Sequence, residues 1–150
     1  MRAVVQRVQQ AAVHIGGREH ARVERGLLVL LGVETGDTEA DAEWLCGKIA
    51  RMRVFADPEG IMNLDVAQAG GEILLVSQFT LHASTRKGNR PSYIRAARPE
   101  EAVPLYLRCT QLLAERSGRP VRTGEFGADM QVEGVNDGPV TIVVDSRIRE

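Results

Sequence analysis

The chain has 150 residues, with 19 Lys and Arg against 20 Asp and Glu, so the formal charge is −1. Hydrophobic residues make up 43% and charged residues 26%, which excludes a disordered chain and fits one domain over residues 1–150, long enough to need no disulfide or metal staple. The longest apolar run, Gly26–Val33, is far short of the roughly 20 residues of a membrane helix. Charge interrupts Met1–Arg7 too early for a signal peptide, so a cytoplasmic protein with no membrane partner is expected.

Met1–Val8 and Ala11–Ile15 alternate in polarity and predict strand. Gly16 and Gly17 predict a hairpin turn into His20–Val23. Gly26–Val33 is continuously apolar, as in a strand buried on both faces. Gly36 and Asp37 mark a turn. Thr38–Val54 predicts a helix, with Ala42, Leu45, Ile49 and Met52 on one face and Thr38 or Asp37 as its N-cap. Turns at Asp57–Gly60 and at Gly70 and Gly71 lead to a second buried strand, Glu72–Val76. Pro99–Ser117 predicts another helix, its apolar face made of Val103, Tyr106, Cys109 and Leu113. Gly118 followed by Pro120 ends it, and Pro104 sets its start or bends it. Two strands, around Ala128–Val135 and Val140–Asp145, complete the chain, joined through Asn136–Pro139. The pattern predicts a mixed α/β layered sandwich.

Four segments carry candidate chemistry. Ser77, Gln78, Phe79 and Thr80 follow directly on a buried strand, where a rigid scaffold presents hydroxyls, an amide and backbone N–H groups to a ligand or an oxyanion. An ordinary strand end with satisfied side chains fits the same residues. Asn136-Asp137-Gly138-Pro139 reads as a hairpin signal. Gly138 permits close approach to its backbone, and a cis bond before Pro139 would turn neighbouring carbonyls to one side, toward an ammonium group. A plain tight turn fits equally. Phe126 and Met130 suit either a core or a pocket wall. Arg86, Lys87, Arg90, Arg95 and Arg98 surround Tyr93 in a stretch, His82–Pro99, with no carboxylate. It reads as a phosphate-binding strip or as a solvated basic loop. His82 sits two residues after Thr80, as a general base or simply a surface histidine. Cys46 and Cys109 lie on predicted helices, outside any CxxC or ligand cluster, and read as buried free thiols. No metal and no cofactor is implied.

With Ser77-Gln78-Phe79-Thr80-Leu81, Asn136–Thr141 and Gln6-Arg7-Val8 in place, the sequence resembles the D-aminoacyl-tRNA deacylases, of the bacterial D-tyrosyl-tRNA deacylase type. Met62-Asn63-Leu64, Arg90-Pro91-Ser92 and Thr123–Val132 support the resemblance, which runs from residue 1 to about 145. It implies a three-layer β/β/α sandwich with mixed sheets and a homodimer. The implied activity is hydrolysis of the ester joining a D-amino acid to the terminal ribose of tRNA, a chiral proofreading step in translation quality control. By the same resemblance, Ser77, Gln78, Phe79 and Thr80 line the catalytic pocket. Gly138 and Pro139, joined by a cis bond, enter the pocket of the other subunit and reject L-amino acids. Phe126 and Met130 wall the pocket, and Arg7 steadies the Gly-Pro element. Glycine, with no side chain to reject, is expected to be removed as well, including when mischarged on tRNA-Ala. Competing readings are a non-catalytic tRNA-binding module, an L-alanyl-tRNA editing deacylase with a trans Gly-Pro bond, and an unrelated small-molecule hydrolase.

Overall fold

The computed structural model describes residues 1–150. Its organiser is one long strand, β1 (Arg2–Ile15). One edge of β1 is shared by two strands: β3 (Gly26–Gly32) pairs with Arg2–Val8, and β2 (Arg18–Val23) pairs with Ala11–Ile15, both antiparallel. The other edge carries β8 (Gln131–Asp145), antiparallel along almost its whole length. Beyond β3 the sheet continues in parallel through β6 (Glu72–Ser77) and β7 (Val121–Thr123). A separate small ribbon, β4 (Phe55–Ala56) and β5 (Met62–Leu64), flanks the Asp57–Gly60 turn. Two helices complete the chain, α1 (Glu39–Ala50) and α2 (Pro99–Ser117).

Alternation in the central strands explains the layers. Leu27, Val29, Leu31, Ile73 and Leu75 face a core shared with Leu45 and Ile49 of α1 and Tyr106 and Leu113 of α2. Leu28, Leu74 and Val76 face the other way, into a second core with Val8, Ala11, Val13 and Val23. β3 and β6 are therefore buried on both faces, as their unbroken apolar sequences require. β1 passes between the layers: Ala3 and Val5 belong to the helix-side core, Val8 onward to the other. The result is the expected helix layer, central sheet and folded-over sheet, with parallel and antiparallel pairings.

Several elements depart from expectation. The two C-terminal strands are one. Val132–Asn136 and Thr141–Asp145 pair with successive stretches of β1 in the same direction, so Asn136–Pro139 is not a hairpin but part of a bulge. The Asn-Asp-Gly signal reports backbone freedom, and here the ladder with β1 keeps the chain from reversing. The first helix ends at Ala50, with Arg51 as its cap, so Met52 lies beyond it. Its start is as read: the Asp41 carboxylate accepts the Thr38 N–H at 2.9 Å. α2 begins at Pro99 and runs on through Pro104. It buries Ala102 rather than Val103, and Gly118 closes it at φ +62°. The Gly16-Gly17 turn is confirmed, both residues having positive φ.

Candidate active site

At the C-terminal end of β6 the chain leaves the sheet. Gln78 keeps one strand-like bond, its N–H donating to the Leu31 carbonyl at 2.8 Å, and Phe79–His82 then form a single 3-10 turn. The segment is thus a turn rather than a strand end. The turn packs onto β3 at Gly32, where a Cβ would lie 2.9 Å from the Gln78 carbonyl oxygen and 3.1 Å from the Leu81 Cβ. Arg2 Nη1 donates to the Leu81 carbonyl at 3.0 Å, and the His82 ring bonds to the Gly32 carbonyl at 3.1 Å. Inside this clamp the first two N–H groups of the turn, those of Phe79 and Thr80, donate to no protein acceptor. Unpaired donors at the start of a helical turn are what an oxyanion needs.

Ser77, Gln78 and Phe79 line a cavity of about 280 Å³ with Leu31, Val33, Tyr106, Phe126 and Met130. Tyr106 forms part of its base. The phenol is buried, donates to the Leu75 carbonyl at 3.0 Å and meets the Phe126 ring edge-on at 5.7 Å. Burial pushes its pKa up to about 12, so it stays a donor. Thr80 is not in the wall. Its hydroxyl accepts a hydrogen bond from the Gln78 amide. Sequence reasoning missed Tyr106 and Asp129 as lining residues. Tyr106 reads in the sequence as one more apolar position of α2, and Asp129 falls within the strand expected around Ala128–Val135. At the mouth, Phe79 is 54% exposed and packs edge-on against Tyr93 at 5.1 Å, a contact no spacing rule reveals.

His82 is neither a surface residue nor a base. It is fully buried, its Nδ1 lies 3.9 Å from Glu34, and burial holds its pKa below the usual range. Glu34 anchors the C-terminal part of the basic stretch through Arg95. Burial raises its carboxyl, but the Arg95 hydrogen bond and the Arg147 charge outweigh that and hold it low. Arg95 is thereby neutralised, whereas Arg86, Lys87, Arg90 and Arg98 are exposed and unpaired. Cys46 and Cys109 are buried and reduced, and the Cys46 hydrogen bond together with burial raises the Cys109 thiol. No group of three His, Cys, Asp or Glu side chains converges as a metal site.

The β8 bulge lies opposite a single β1 residue. Gln6 pairs with Thr141 and Val8 with Asn136, so Arg7 alone faces Asp137–Val140. Its Nε donates to the Asp137 carbonyl at 3.0 Å and its Nη1 to the Val54 carbonyl at 2.5 Å. Gly138 has φ +128°, and a Cβ there would stand 2.9 Å from the Val140 side chain and 3.1 Å from Arg7 Nη2. The Gly138–Pro139 bond is cis. Both residues are exposed, and neither lines the cavity of its own chain. A shallower hollow lined by Gln6, Gln78, Val132 and Asn136 runs from the cavity toward the bulge.

The family model described as D-Tyr-tRNA(Tyr) deacylase matches residues 4–145. The chain belongs to this deacylase family. It is 61% identical to the D-aminoacyl-tRNA deacylase of Akkermansia muciniphila and 54% identical to that of Parabacteroides distasonis, over 100% of each chain. Among solved structures, the c-Myc DNA Unwinding Element Binding Protein superposes with a TM-score of 0.90 at 41% identity, covering 97% of this chain and 98% of that one. A probable eukaryotic D-amino acid tRNA deacylase superposes at 0.82 and 18% identity, covering 96% and 98%, a likeness of fold. As a member of the deacylase family the chain is an aminoacyl-tRNA ester hydrolase.

Proposed function

We propose that the chain removes D-amino acids, and glycine, from tRNA at the cavity beneath Ser77–Thr80, and that Gly138 and Pro139 of a second copy select the substrate there. The observation that carries the chemistry is the pair of free N–H groups on Phe79 and Thr80. Water adds to the ester carbonyl, those N–H groups hold the oxyanion, and the bond to the ribose 3′-oxygen breaks. The products are the free amino acid and tRNA. The neighbouring ribose 2′-hydroxyl helps to activate the water. A Thr80 nucleophile finds no support, because its hydroxyl is paired with an amide and the nearby histidine is bound elsewhere.

Selection by main chain follows from exposure. Carbonyls of a rigid dipeptide can accept from the substrate α-ammonium and leave no room where an L side chain projects, while a D side chain points to solvent. Neither dipeptide residue reaches the cavity of its own chain, so the reading requires a homodimer. β8 supports one. It is an edge strand, and Val132 is 40%, Val135 47% and Val143 64% exposed, an apolar edge of the kind that proteins otherwise protect. In this reading the Arg86–Arg90 loop, tied at its base by two Ser84–Ser92 backbone bonds, meets phosphates near the aminoacylated 3′ end.

Matched D-tyrosyl-, L-tyrosyl-, L-alanyl- and glycyl-tRNA, with free amino-acid esters as controls, test the reading. Turnover of the D and glycyl substrates alone supports it. Preferred L-alanyl turnover identifies the opposite editing choice, ester turnover without tRNA a small-molecule hydrolase, and binding without turnover an RNA-binding module.

A further inference from the structure

The helix layer carries a second basic surface that the catalytic account does not use. Trp44, Lys48 and Arg51 stand at i, i+4 and i+7 along α1 and its cap, on one face of the helix. Arg116 joins them from the last turn of α2, and Arg149 from the C-terminal tail. Together with Ala40 and Glu43 these residues line a hollow of about 480 Å³. The Arg149 guanidinium lies 4.6 Å over the Trp44 ring and the Lys48 ammonium 5.7 Å from its centroid, so two cations approach one indole. Arg51 and Arg116 converge on Gly47, where a Cβ would meet them at 3.4 and 3.6 Å.

None of these four cations forms an ion pair. Among the Lys and Arg side chains, carboxylate partners go to Arg2, Arg7, Arg22, Arg95, Arg108, Arg122 and Arg147. Helix C-termini attract cations, which accounts for Lys48, Arg51 and Arg116 being basic. It does not account for Arg149, which belongs to neither helix and stacks on the indole. Four positive charges thus face Glu43 alone in this hollow, at a cost in mutual repulsion that an anionic partner removes.

We propose that this surface binds the phosphate backbone of the substrate tRNA at a distance from the ester, an inference that rests on the deacylase reading. Two features favour an extended polyanion over a single small anion. Lys48 and Arg51, with Trp44, also border the adjoining hollow of about 600 Å³, where Arg2 is paired with Asp145 and Glu150 is the remaining carboxylate, so the cations are not confined to one closed cage. Arg116 also lies ten residues along α2 from Tyr106 of the catalytic cavity, roughly 15 Å at 1.5 Å per residue. An RNA whose 3′ end is held in the cavity extends that far within a few nucleotides.

Trp44 is the only tryptophan of the chain, so its fluorescence reports on this surface directly. The test is titration of the intact protein with uncharged tRNA, and separately with inorganic phosphate. The expected result is a saturable change in indole emission with tRNA and none with millimolar phosphate. The combined variant Lys48→Gln, Arg51→Gln, Arg116→Gln, Arg149→Gln, checked for folding by its thermal melt, should bind tRNA about tenfold more weakly. Its affinity should also depend less steeply on salt, the log–log slope falling by about 3 for four lost phosphate contacts. If that variant fails to fold, the single changes Arg149→Gln and Lys48→Gln should each lower the slope by nearly one unit. An indole that ignores tRNA, a response to phosphate alone, or an unchanged salt slope overturns the proposal. Turnover of D-aminoacyl-tRNA by the unaltered protein is measured in parallel. Its absence refutes the deacylase reading, whereas the fluorescence response concerns uncharged tRNA and is independent of turnover.

Discussion

Arg7 holds the Asp137 carbonyl at 3.0 Å and is the only β1 residue opposite the four-residue bulge that carries Gly138 and Pro139. One side chain thus ties the exposed bulge of β8 to the middle of β1. It spans two backbone carbonyls, those of Asp137 and Val54, with a guanidinium that is mostly buried.

Replacing Arg7 with Ala leaves both carbonyls without that charged donor. The expected stability cost is about 1–3 kcal/mol, read by urea denaturation. The larger effect is expected in selectivity: the ratio of D- to L-tyrosyl-tRNA turnover should fall at least tenfold, because the bulge is no longer fixed. Arg7→Lys, which cannot reach both carbonyls with a planar fork, should restore stability better than selectivity. An unaltered D-to-L ratio in both variants would remove Arg7 from the selecting element.

Thr80→Ala should keep substantial turnover, since the N–H at position 80 survives the change. Single-turnover kinetics on D-tyrosyl-tRNA provide the check, and a loss of about a thousandfold or more would reinstate a Thr80 nucleophile. A complementary substrate, tRNA ending in 2′-deoxyadenosine, should react far more slowly than its ribose counterpart.

Much of this was legible in the sequence, and the failures have physical reasons. Gly26–Val33 and Glu72–Val76 announce strands covered on both sides, because no polar residue interrupts them, and Gly118 stops α2 where a left-handed residue is required. Asn136–Pro139 misleads because the residues that favour a hairpin also favour a bulge. Only the unbroken ladder with β1, a contact over more than a hundred residues, decides between them. His82 looks like a surface residue because its burial depends on Gly32, fifty residues away, having no side chain. Ser77–Phe79, Phe126 and Met130 are together in space as the motifs suggest, whereas Gly138 and Pro139 stand apart from them within one chain.

Acid should weaken the fold in two phases. Burial holds the His82 imidazole low, so between its folded pKa and about 6.5 the unfolded chain binds a proton that the folded chain does not. Its contribution is full above about pH 6.5 and is lost as pH falls through the folded pKa, with a slope of at most ~1.4 kcal/mol per pH unit. Glu34, Asp41 and Asp145, all held low, lose theirs only below about pH 4. Urea midpoints at pH 8, 6.5, 5.5, 4 and 3 should show both phases, the second between the last two, and His82→Gln should flatten the first. Identical midpoints from pH 8 to 5.5 in the unaltered protein would contradict the assignment.

Glycyl-tRNA should be a substrate at high enzyme concentration, since a selector that works by excluding an L side chain has nothing to exclude in glycine. Rates measured beside L-alanyl-tRNA, one methyl larger, isolate that single group. Glycyl-tRNA left wholly intact would mean that a positive contact to the D side chain is required.

The most direct test is a crystal structure with a non-hydrolysable D-aminoacyl adenosine analogue. The expected complex has the α-ammonium within hydrogen-bond distance of main-chain carbonyls at Gly138 and Pro139 from a second copy, and the ester-equivalent oxygen at the N–H groups of Phe79 and Thr80. An ammonium held by side chains of its own chain, with the Gly138–Pro139 bulge left in solvent, would contradict the account.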